Sequence, residues 1–78
     1  MSKQTRPLWE IARDIRQHWP NVRYSAEPYL AAMEEMYWMK DGYGYDSGES
    51  IVRYFLSNAR YWRGDSAKRI KAELKEML

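Results

Sequence analysis

Apolar residues recur at steps of three and four in four separate stretches of this chain, and each stretch is bounded by residues that start or stop helices. Leu8, Ile11, Ala12, Ile15 and Trp19 form one stripe, with Arg13, Arg16 and Gln17 facing outward. Pro7 suits a first helical turn, where its missing N–H would be unpaired in any case. Pro20 ends the run by biasing Trp19 away from helical backbone. The pattern predicts a first helix over residues 7–18. A short connection follows, and within it Val22 to Tyr24 is the one segment with strand character. A second helix is predicted from about Ala26 to Met39, with Ser25 as N-cap or a start one turn later at Glu27-Pro28. Tyr29, Leu30, Met33, Met36 and Tyr37 would be its buried stripe, with Glu34 and Glu35 solvated. Gly42 and Gly44 then interrupt the periodicity.

Asp46-Ser47-Gly48-Glu49 has capping-box spacing and predicts the start of a third helix, with Asp46 as N-cap. Ile51, Val52, Phe55, Leu56, Ala59 and Trp62 give that helix the widest apolar face in the chain. Gly64 suits the left-handed residue after a helix and Asp65 the N-cap of the next. The fourth helix is predicted from about Ser66 to the end, with Ala67, Ile70, Leu74 and Met77 inward and Lys68, Arg69, Lys71 and Lys75 outward. The expected fold class is all-α, a compact single-domain bundle of four short helices spanning residues 1–78, with residues 1–5 a candidate disordered leader.

Size sharpens this picture. A chain of 78 residues buries only about 60–65% of the surface its unfolded form exposes, so its stability needs a well-filled core. There is no cysteine, hence no disulfide or thiolate metal site, which points to a reducing compartment. Four Trp, seven Tyr and one Phe are more rings than a minimal core requires, so some are expected on the surface, where Tyr and Trp favour contact patches. Trp9 and Trp38 leave room for a two-fold interface, so both a monomer and a homodimer are compatible with the pattern. No run approaches the roughly 20 apolar residues of a membrane span, and the N-terminal residues lack the apolar stretch of a signal peptide. A soluble, cytoplasmic protein with no membrane partner is expected.

Charge is laid out in blocks. Residues 1–23 sum to +3, residues 24–50 to −5 and residues 51–78 to +4, although the whole chain is only +2. Patches of one sign steer charged partners and reject others whatever the net charge.

Catalysis finds little in this inventory. His18 is the sole histidine, no cysteine is present and no hydroxyl stands in a nucleophile-elbow context. The expectation is a protein that is not an enzyme, with no cofactor and no metal. His18 fits a helix C-terminus, where the dipole favours a cationic imidazole. Asp41, Asp46 and Glu49 surround two glycines as a calcium loop would, but Tyr43 and Tyr45 fall at the ligand-spaced positions, and a turn with a helix cap accounts for them better. Arg63-Gly64-Asp65 spells an adhesive tripeptide, which here reads as a helix stop followed by a helix start.

Two surfaces remain as candidates for binding. The first is acidic and rich in rings: Glu34, Glu35, Trp38, Asp41, Tyr43, Tyr45 and Asp46 would dock onto a basic protein surface, with Tyr supplying contact area and the carboxylates pairing with arginines. The second is basic: Arg60, Arg63, Lys68, Arg69, Lys71 and Lys75 would contact nucleic acid, with the third and fourth helices forming a helix-turn-helix in outline. The first of these is the leading expectation from sequence.

Residues 11–15 (Ile-Ala-Arg-Asp-Ile), 22–33 (Val-Arg-Tyr-Ser-Ala-Glu-Pro-Tyr-Leu-Ala-Ala-Met), 51–64 (Ile51 to Gly64) and 67–78 together resemble a group of small uncharacterised proteins encoded by bacteriophages and integrative mobile elements. The resemblance covers most of the chain, and the stretch Tyr37 to Tyr45 departs from it. It brings no catalytic residues. It implies an accessory protein of a mobile element that engages a host protein, including defence or nucleic-acid-handling machinery.

Overall fold

Leu8, Ile11, Ala12 and Ile15 are all fully buried on one face of α1 (Leu8–His18), the element their spacing predicts. Pro7 is its N-cap and has no side chain that could accept from the free N–H groups of the first turn. Those donors are satisfied from a distance: the carbonyls of Tyr37 and Met36 accept from Leu8 and Trp9 N–H at 2.9 Å each. This computed structural model describes residues 4, 6–43 and 46–78, with the Tyr43 side chain excepted.

The second helix ends earlier than its periodicity predicts. α2 spans Glu27–Met33 only, and the chain beyond it tightens into turns in which Glu35 and Met36 bond three residues back, to Ala32 and Met33. The expected helix through Met39 is therefore corrected, and with it the phase of its stripe. Met36 and Met39 are buried, whereas Tyr37, expected on the buried stripe, is 48% exposed. The Asp41 carboxylate closes this segment by accepting from the N–H groups of Trp38 at 2.9 Å and Tyr37 at 3.3 Å. Ser25 does not cap α2. Ala26 precedes the helix, and Pro28 occupies its first turn.

Gly42–Tyr43 (β1) pairs antiparallel with Asp46–Ser47 (β2), Gly42 opposite Ser47. This two-residue ladder is the strand structure among the described residues, and Val22–Tyr24 is irregular instead. α3 (Gly48–Asn58) begins one residue later than the capping box predicts: Ser47 is the N-cap and its Oγ accepts from Ser50 N–H. Gly48 is required here by space. A Cβ on it would lie 2.6 Å from the Met39 carbonyl oxygen, and that close approach lets Glu49 N–H bond to Met39 O at 2.8 Å.

α3 ends at Asn58, earlier than its apolar face suggests, and residues 59–64 lead to α4 (Asp65–Glu76). Gly64 is the N-cap of α4, displacing Asp65 into the first turn. Its φ of 113° and ψ of 178° lie in a region that essentially only glycine occupies. α3 lies chiefly against α2, and α4 against α1. The helices close over one core in which Phe55, Leu30, Met33, Ile70 and Leu74 are fully buried, and among the described residues no polar side chain is buried. The radius of gyration of 11.2 Å matches the roughly 11.5 Å of a compact chain this long. Among the described residues this is a small, mostly helical domain with four helices, and no helix is long and apolar enough to cross a membrane.

Of residues 1–5, Gln4 is the one described, and it is tied down. Its amide donates to the Tyr37 carbonyl at 2.7 Å, and its Oε1 accepts from Met39 N–H at 2.9 Å. The other residues of the 1–5 segment, for which disorder is expected from sequence, lie outside the described residues.

Candidate functional site

The charge blocks of the sequence fold onto one another. Arg16 of α1 grips two carboxylates of the acidic block at once: Nε and Nη2 bond Glu34 at 2.8 and 3.0 Å, and its other contacts go to Glu27. The Arg16 hydrogen bond is the main reason the Glu27 carboxyl sits below its usual range. Arg6 makes a two-pronged contact with Glu73 of α4, at 2.7 and 2.9 Å, and reaches Asp14 at 3.2 Å. Arg69 also bonds Asp14, at 3.3 Å. Burial pushes the Asp14 carboxyl up, and the hydrogen bonds from Arg69 and Arg6 outweigh it, leaving the group below the ordinary carboxylate value.

These pairings change what each candidate surface can offer. In the acidic set, Glu34 is held by Arg16 and Asp41 is spent on backbone N–H groups. Glu35 and Asp46 are exposed and make no ion pair among the described residues. Trp38 is 45% exposed, its ring 4.5 Å from that of Tyr37. Tyr45 and the Tyr43 side chain lie outside the described residues, so the expected contact role of those two rings has no geometry here. Nor do the loop carboxylates gather as metal ligands: Asp41 faces backbone donors, and Glu49 pairs with Arg53 one turn on at 3.4 Å.

In the basic set, the structure separates one member and gathers four. Arg69 points to Asp14 on α1. Arg60, Arg63, Lys68 and Lys71 instead line one open concavity of about 460 Å³, together with Trp62, Gly64, Ala67 and Asp65. Lys75 lies one helical turn beyond Lys71. Among the described residues none of these five cations pairs with a carboxylate, in contrast to Arg6, Arg16, Arg53 and Arg69. Burial, and then repulsion from Lys75 and Arg63, holds the Lys71 ammonium below its ordinary value. Like charges are therefore crowded into a partly dry recess whose only acid is Asp65.

Trp62 builds the floor of that recess. It is 3% exposed, stacks face to face on Trp19 at 5.4 Å, and donates from its indole N–H to the His18 carbonyl. Lys71 Nζ donates to the Trp62 carbonyl at 2.6 Å. The wall is thus fixed to both α1 and α4. A helix-turn-helix arrangement is not reproduced: the connection is six residues long, Trp62 is buried within it, and α4 rests mainly on α1.

Sequence reasoning missed three residues linked to the recess segment through Tyr61, which stands in the chain between two lining residues: Tyr61 itself, Arg23 stacked on it, and Tyr24 next to Arg23. Tyr24 and Tyr61 are 86% and 70% exposed, and the Arg23 guanidinium sits 4.3 Å over the Tyr61 ring. The signal was present in the alternation Arg60-Tyr61-Trp62-Arg63. A second concavity of about 660 Å³, lined by Gln4, Trp38, Met39, Lys40, Ser47 and Glu49, is larger. Its opposed charges, Lys40 and Glu49, give it no dominant sign. No family model matches this chain, and no curated protein or solved structure matches it.

Proposed function

We propose that this protein is a non-enzymatic binding module, a compact bundle of four short helices, that takes hold of nucleic acid through the basic recess formed by the 59–64 connection and the first two turns of α4. The observation that carries this is the set of cations Arg60, Arg63, Lys68 and Lys71 around one concavity, none of them paired with a carboxylate among the described residues, whereas Arg6, Arg16, Arg53 and Arg69 are paired. Phosphates arriving there would relieve the mutual repulsion of Lys71, Lys75 and Arg63 and release the counterions condensed on the strand. The resemblance to proteins of phages and integrative elements suits such a module: an accessory protein of a mobile element acting in a bacterial cytoplasm, where nucleic acid and its handling proteins are at hand.

The test is binding of fluorescein-labelled 20-mer DNA, followed by anisotropy at 50 mM salt. A triple variant, Arg60→Glu/Arg63→Glu/Lys68→Glu, is expected to lose binding while keeping its helical circular dichroism, because all three side chains are exposed. Lys40→Glu, which reverses a cation outside the recess, is expected to bind nearly as the wild type does. Absence of wild-type binding, or equal binding by the triple variant, rejects the assignment.

A second reading, docking of the acidic face onto a basic host protein, is favoured by one observation: Tyr37 and Trp38 form an exposed ring pair, two and three residues after the exposed Glu35, and the exposed Asp46 follows in the same acidic segment. Its test is charge reversal at Glu35 and Asp46 rather than at Glu34, whose replacement would also break the Arg16 contact. Unchanged capture of a basic partner by Glu35→Lys/Asp46→Lys dismisses it.

A further inference from the structure

We infer that the nucleic acid bound is single-stranded, with Tyr61 and Tyr24 stacking bases while the recess holds the phosphates; this rests on the nucleic-acid reading above and names its ligand class. Two independent observations point the same way. Exposed rings neighbour the recess cations along the chain. Tyr61 stands in sequence between Arg60 and Trp62, which line the recess while Tyr61 itself does not, and it keeps 70% exposure even with Arg23 stacked 4.3 Å over its ring. The cation pins the phenol ring, so a base landing on it meets an oriented platform at low entropic cost. Tyr24 follows Arg23 directly and is 86% exposed. Basic grooves with aromatic platforms are the working parts of single-strand binders, since every base offers a π-face that a duplex keeps inside its own stack.

The second observation concerns what α4 lacks. A helix that reads a duplex presents Arg, Asn or Gln near its N-terminal turns to the major groove. Here the first turn offers Asp65, Ser66 and the buried Ala67, and Arg69 is engaged with Asp14. Lys68 and Ser66 are the base-edge donors left at that end, neither of them a planar fork, and Asp65 would face the acceptor-rich edge of guanine unfavourably. Binding is accordingly expected to be tolerant of sequence.

The experiment compares one mixed 20-mer as single-stranded DNA, as single-stranded RNA and as a DNA duplex, with wild type, Tyr61→Ala and Tyr61→Phe at 50 mM salt. One or both single strands are expected to bind at least tenfold tighter than the duplex, and the tighter strand names the source. Tyr61→Ala is expected to weaken single-strand binding by roughly 5- to 100-fold with little change for the duplex, and Tyr61→Phe to restore it. Duplex binding as tight as either strand, or single-strand binding indifferent to Tyr61→Ala, overturns the inference while leaving the basic recess in place. Failure of all three probes to bind overturns the recess reading as well.

Discussion

Asp65 decides how strongly the recess attracts an anion, because it is the one carboxylate among four lining cations. It is there for a structural reason: in the first turn of α4 it faces backbone N–H groups that have no helical partner. The two roles oppose each other, which gives Asp65→Asn a double signature. The variant is expected to bind a 20-mer roughly two- to fivefold tighter, the scale of one exposed charge interaction. It is also expected to lose about 0.3–1 kcal/mol of stability to urea. A change of the same sign in both measurements would contradict this division of labour. Trp62 is legible in the sequence as an apolar residue at helical spacing, but its stacking on Trp19 and its carbonyl contact with Lys71 depend on residues far away in the chain. Side-chain periodicity carries no information about such partners.

Among the elements, α1 and the inward stripe of α4 were readable because local spacing alone sets which face is apolar. α2 was not. It ends at Met33, and the turns that follow set the Met36 and Tyr37 carbonyls against the start of α1, some 28 residues away in the chain, a contact that local periodicity does not encode. The short β1–β2 ladder escaped notice for a similar reason, since two-residue strands leave no alternation to detect. The start of α3 was placed to within one residue, with Ser47 taking the role expected of Asp46. Gly48 shows why this junction tolerates no side chain. Its missing Cβ lets the Met39 backbone approach, so Gly48→Ala must separate α3 from the preceding turn. A loss of roughly 1–3 kcal/mol is expected, read as a lower urea midpoint at unchanged slope. A midpoint equal to that of the wild type would mean the two backbones part without cost.

For the molecule as a whole, the block layout of charge was visible in the sequence, but its outcome was not, because pairing across the fold subtracts from each block. Arg16 cancels much of the acidic block, and Asp14 and Glu73 draw Arg6 and Arg69 inward. Among the described residues, the cations left without a carboxylate partner gather most densely at the basic recess, while Glu35 and Asp46 stay unpaired on the acidic side. The Asp14 junction ties α1 to both α4 and the segment before α1, and its contribution depends on pH. A carboxyl held below its unfolded value stabilises the fold above about pH 4, and that contribution disappears as pH falls through the folded value. Asp14→Asn is expected to cost about 1–3 kcal/mol at neutral pH. The gap from the wild type should narrow as pH is lowered through the carboxylate range, and a gap independent of pH would mean that Asp14 acts by packing rather than by charge. The central claim, that uncompensated cations of the recess meet phosphates, is tested most directly by the salt dependence of single-strand affinity between 50 and 200 mM. Four phosphate contacts are expected to give a slope of log K against log salt of about −3, flattening towards zero in the Arg60→Glu/Arg63→Glu/Lys68→Glu variant. A wild-type slope near zero, or one that the triple variant leaves unchanged, would contradict the account.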